Sequence, residues 1–82
     1  MILNNNELYT RISSLSTYLH EVGEEAWSRS LTEALYISTL PGEILGEIRL
    51  RLKELRRLEV TSRLQIIEQI DEALKYLNSV LK

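Results

Sequence analysis

Ser16 and His20 stand four residues apart, the separation that brings two side chains together on one face of a helix. A hydroxyl beside an imidazole is the start of a nucleophile–base pair, in which His20 would take the Ser16 proton. Such a pair needs a third group to orient the ring, and none stands with them on the same helix face. The simpler reading is a solvated histidine near a helix C-terminus, where a cation is mildly favoured. Carboxylates cluster twice, at Glu21, Glu24 and Glu25, and again at Glu68, Asp71 and Glu72. A helical metal site adds a histidine or repeats its motif on a facing helix. Here Lys75 follows Asp71 by four residues instead, which is ion-pair spacing. The chain has no Cys and one His, so a Cys/His metal cluster or a disulfide framework is ruled out. Neither a glycine-rich phosphate loop nor a nucleophile elbow is present. The expectation is a protein that is not an enzyme, with no catalytic, cofactor-binding or metal-binding residue.

Charge says more. Residues 1–48 carry seven acids and two bases, whereas residues 49–63 carry Arg49, Arg51, Lys53, Arg56, Arg57 and Arg63 against Glu54 and Glu59. The whole chain has a net charge of −2, without the basic excess that marks nucleic-acid binders. The arginine-rich stretch lacks interleaved aromatics and spreads over more than one helix face, which argues against nucleic acid and for a solvated face. Tyr36 lies opposite the apolar side of its helix, beside Glu25, Arg29, Thr32 and Glu33. Tyr and Arg are favoured at protein interfaces. Glu21, Glu24, Glu25, Arg29, Glu33 and Tyr36 are therefore the candidate partner-binding residues.

These side chains are positioned by helices. The chain has 82 residues, 44% hydrophobic and 27% charged, a globular composition sized for one helical domain over residues 1–82. Apolar residues recur at spacings of three and four rather than two. Leu8, Ile12, Leu15, Leu19 and Val22 mark a first helix over 5–22, with Asn4 as its cap, Glu7 completing the capping box and Leu3 stapled onto Leu8. Gly23 suits a left-handed stop. A second helix over 24–38 buries Ala26, Trp27, Leu31, Ala34, Leu35 and Ile37, and pairs with the first as a tight αα-hairpin.

Leu40-Pro41-Gly42 breaks the pattern, with Ser38 or Thr39 as a cap. A third helix over 41–58 buries Ile44, Leu45, Ile48, Leu52 and Leu55 and turns Leu50 outward. Ser62 and Gln65 read as a second capping box, opening a fourth helix over 63–81 whose stripe, Leu64 to Leu81, is wide enough to touch more than one neighbour. The fold expected is all-α, a compact antiparallel bundle of four helices. Apolar runs of at most four residues leave no membrane span. The polar turn at Asn4-Asn5-Asn6 does not read as a leader, so the expected location is cytoplasmic.

The stretch from Leu15 to Leu31 places a helix-ending Gly23, then Trp27, then Leu31 at four-residue steps. This pattern resembles small all-helical bacterial immunity proteins of polymorphic-toxin and contact-dependent inhibition systems. The resemblance implies a stoichiometric inhibitor that binds a cognate toxin and blocks it. An acidic surface would be steered toward a basic toxin domain. The alternatives are a self-associating structural or adaptor protein, dimerising through the wide stripe of the fourth helix with Leu50 and Leu58, or a small regulator using the 49–63 cluster on nucleic acid.

Overall fold

Asn4 is extended, and its side chain accepts a hydrogen bond from the Glu7 amide at 2.8 Å, which starts α1 (Asn5–Glu21). Glu7 returns a carboxylate to the Leu3 amide just outside the helix, so one orphan helix donor and one flanking amide are satisfied. The staple is formed differently from the expectation: Leu3 is 72% exposed, and Ile2 is the residue that enters the core. In the computed structural model, which describes residues 1–81, α1 is followed by α2 (Glu25–Leu35), α3 (Pro41–Arg56), a one-turn α4 (Glu59–Arg63) and α5 (Ile67–Val80).

Gly23 ends α1 as its type requires. Its φ is +88°, and the Glu24 amide donates to the Leu19 carbonyl while the Gly23 amide donates to that of His20. Those two bonds make a Schellman stop, which reverses the chain in two residues and lays α2 back along α1. Ser16 bridges the two helices of this hairpin. Its hydroxyl is buried and donates to the Ser28 carbonyl at 2.7 Å, with the Ser28 and Thr32 hydroxyls also within reach. Small polar residues let the two helices approach while every buried polar atom keeps a partner. Pro41 opens α3 at a position where the missing N–H costs nothing.

The second half departs from the expected boundaries. The third helix ends at Arg56 rather than 58, because buried Thr61 folds back and donates its hydroxyl to the Leu55 carbonyl. The expected capping box at Ser62 is absent: Ser62 lies inside α4, and its carbonyl accepts the Gln65 amide. Gln65 then takes a left-handed φ of +57°, and the last helix starts at Ile67 rather than 63.

The result is an all-α bundle. α1 packs on α2, α2 on α3, α3 on α5, and α5 returns to α1 along the sparsest seam between the four long helices. Leu8, Ile12, Leu19, Leu31, Ile48, Leu52, Leu55, Ile70 and Leu77 fill the centre with no exposed surface to speak of. Two residues expected inside are not there. Ala26 lies on the exposed side of α2, and Ile37 is beyond the end of α2 and 49% exposed.

Ion pairs fasten α5 to its neighbours. The Arg56 guanidinium on α3 hydrogen-bonds Asp71 and holds that carboxyl below the ordinary carboxylate range. Glu72 is lowered likewise, first by a hydrogen bond from the N-terminal ammonium and then by Arg11 of α1.

Candidate protein-binding surface

Ser16 and His20 are drawn to different tasks. Ser16 is committed to the buried hydroxyl cluster, while His20 is exposed and its Nδ1 contacts Glu25 across the Gly23 corner. The carboxylate that orients the imidazole comes from the next helix, which spacing along one helix does not reveal. A nucleophile needs its hydroxyl free toward a substrate, and this one faces protein. Among the described residues no three His, Cys, Asp or Glu side chains converge as a metal site requires, and no helix is long and apolar enough to cross a membrane.

The six candidate binding residues divide by position. Glu21, Glu24 and Glu25 lie around the Gly23 corner, and Arg29, Glu33 and Tyr36 continue along the outer side of α2 to its far end. At 1.5 Å per residue, Arg29 rises about 6 Å and Tyr36 about 16 Å along α2 from Glu25, so the candidates spread over the whole helix. The corner acids are largely engaged: Glu24 pairs with Arg63 at 3.3 Å and Glu25 with His20. Glu33 faces Arg51 of α3 at 3.8 Å, and Arg51 also reaches Glu47 and the Ser30 carbonyl. The acidic excess of the first half is thus partly neutralised by cations from the second. Arg29 makes no ion pair among the described residues.

The far end of α2 is the more distinctive part. Tyr36 is 80% exposed, and the loop that follows adds Ile37 and Leu40, the latter 60% exposed. Ser38 stiffens this loop by accepting the Leu40 amide and donating to Glu43 in the first turn of α3. Three large apolar side chains therefore project from a short loop pinned at both ends. Solitary exposed apolar residues are ordinary; three on one short loop, with Arg29 two helical turns back along α2, have the composition of an interface centre. Tyr36 also borders a shelf lined by Thr10 and Ser13 of α1.

Sequence reasoning placed Tyr36 on the surface, as it is, but missed the exposure of Ile37 and Leu40. It placed Ile37 inside a longer helix and treated Leu40 only as a break. The available signal was composition: a five-residue connection with Tyr, Ile and Leu is more apolar than a loop needs to be. The fourth-helix stripe proposed for a dimer seam is consumed by the fold. Ile66, Ile70, Ala73, Leu74 and Leu77 are buried, and Val80 alone of α5 is a large exposed apolar residue. Leu50 and Leu58 are exposed as expected. Comparison with protein-family models, curated proteins and solved structures gave no match.

Proposed function

We propose that this chain is a non-enzymatic protein-binding domain acting as an immunity protein, which neutralises a cognate bacterial toxin by stoichiometric binding. The observation that carries the protein-binding reading is the exposed trio Tyr36, Ile37 and Leu40 on a loop pinned by Ser38. A rigid apolar tip binds with little ordering cost, since its loop is already fixed. The narrower reading rests on the Gly23–Trp27–Leu31 pattern and on the acid-rich first half, whose field favours a basic partner.

The test is native mass, first of this protein alone and then after co-expression with the polypeptide encoded just upstream. A heteromer of defined stoichiometry that survives purification, and that is lost with the double variant Tyr36→Ala, Leu40→Ala, is the expected result. Charge reversal at Glu24, Glu25 and Glu33 together should also weaken that complex. A dimer of the chain by itself, with no heteromer, would overturn the reading in favour of self-association.

A further inference from the structure

Pairing sorts the arginine-rich stretch into two sets. Of its six cations, Arg51 is paired with Glu33 and Glu47, Arg56 with Asp71, and Arg63 with Glu24. Arg49, Lys53 and Arg57 make no ion pair among the described residues; the Arg49 guanidinium reaches the Asn78 carboxamide at 3.4 Å. These three stand four residues apart, so successive charges rise about 6 Å along α3. With Leu50, 53% exposed, they occupy about 100° of the helix circumference, turned away from buried Ile48, Leu52 and Leu55. The macrodipole favours cations in the last turn only, and Arg49 lies two turns from the end of the helix. Like charges at this spacing weaken a helix, so the row serves no structural end beyond that last turn.

We propose that this face binds an acidic amphipathic helix of a partner protein, with carboxylates at four-residue spacing and an aliphatic side chain on Leu50. Charge complementarity selects the sign of the occupant. The regular rise selects its form, since a helix laid alongside α3 presents Glu or Asp at the same interval. Leu50 selects a protein over a bare polyanion, which would leave this apolar side chain uncovered. The surroundings limit the size of the occupant. Glu54 on the flank of the row and Glu59 beyond its end are both exposed, and neither makes an ion pair among the described residues. A nucleic-acid strand or an anionic membrane continuing past the row would be brought against them, and like charges facing each other across an interface cost affinity. A single short helix is narrow enough to keep to the cationic side. The row lies in the C-terminal half of α3, away from the Tyr36 loop that leads into the N-terminus of the helix, and does not rest on the reading given for that loop.

The probe is a twelve-residue peptide of three Glu-Ala-Ala-Leu repeats with blocked ends, titrated into the full chain and followed through backbone amide shifts by NMR. Saturable shifts at Arg49, Leu50, Lys53 and Arg57 are expected, with a Kd of about 1 mM in low salt. Affinity should fall several-fold between about 20 and about 200 mM NaCl, as screening shortens the reach of the charges. The same peptide with Gln in place of Glu should not bind. Lys53→Glu should abolish binding while leaving the melting temperature within about 3 °C of the parent, because the position is exposed. Lys53→Arg should retain binding, and Leu50→Ala should weaken it several-fold. Equal response to the Gln peptide, binding that survives Lys53→Glu, or shifts centred outside residues 49–57 would each overturn the assignment. So would tighter binding to a twelve-nucleotide oligothymidine, or to phosphatidylglycerol vesicles, than to the peptide.

Discussion

Replacing Ser16 by Ala removes one buried hydroxyl that bridges α1 to α2. Its proton goes to the Ser28 carbonyl at 2.7 Å, and its oxygen lies 3.1 Å from the Ser28 hydroxyl and 2.7 Å from that of Thr32. The Ser28 carbonyl keeps a bond from Thr32 at 3.0 Å, so it is not orphaned. The buried Ser28 hydroxyl loses its only side-chain partner. A net bond contributes about 1 kcal/mol, and a buried group left unsatisfied costs about 1–3 kcal/mol. The expected loss is therefore about 1.5–2.5 kcal/mol, from a total of about 4–12 kcal/mol for a chain of this length. At about 6 °C per kcal/mol for a domain of this size, the melting temperature should fall by about 9–15 °C. His20→Ala, at an exposed pair, should move it by less than about 3 °C. Thermal unfolding followed by circular dichroism measures both. A double-mutant cycle of Ser16→Ala with Thr32→Val should show coupling of at least about 0.5 kcal/mol. If Ser16→Ala melts like the parent, or His20→Ala is the more damaging change, the buried hydroxyl cluster is not what joins these helices.

Four further outcomes follow. Gly23→Ala should cost about 1–2 kcal/mol by urea unfolding; nothing lies within 4 Å of the added Cβ, so the whole cost is the left-handed backbone. Leu52→Ala, at a fully buried core position, should lose about 2–5 kcal/mol and leave a marginally folded chain by the same assay. Tyr36→Ala should change stability by less than about 0.5 kcal/mol yet weaken any co-purifying partner by about tenfold or more in a binding titration. Asp71 and Glu72 both have lowered pKa values in the folded state. Their contribution is therefore present above the ordinary carboxylate range and is lost as pH falls through the folded values. Stability measured in a pH series should drop below about pH 4, and Asp71→Asn should flatten part of that drop.

The first half of the chain was more legible than the second, for local reasons. Asn4, Glu7 and Gly23 act on backbone groups within five residues, and the structure uses each as its type suggests. Over residues 57–66 the chain is organised by Thr61, whose hydroxyl closes the end of α3 six residues back. A threonine in a charged stretch carries no such message by itself. Ser62 and Gln65 have the right types for a cap, but the Gln65 amide donates to the Ser62 carbonyl and the Ile66 amide to that of Thr61, a helix stop that places Gln65 left-handed, and the next helix starts later. On the surface, exposed Tyr36 was legible because it breaks the apolar stripe. Its companions Ile37 and Leu40 were not, because an apolar residue after a helix looks the same whether it turns inward or outward. The pairings of Glu24 with Arg63 and Glu33 with Arg51 span 39 and 18 residues, beyond what spacing can indicate.

The α1–α2 hairpin, with its two-residue reversal and dense contact, also orders events in time. Closing a loop this short has a small entropic cost, so the hairpin can assemble on the microsecond scale before the chain beyond it is organised. The α5 segment must wait, because it docks on α3 and α1 only after the joint at 57–66 has set its direction. Substitutions in the hairpin core should therefore slow refolding, while those on α5 should mainly hasten unfolding. The last helix to arrive would be the first to leave, and the α1–α5 seam is where the molecule would open.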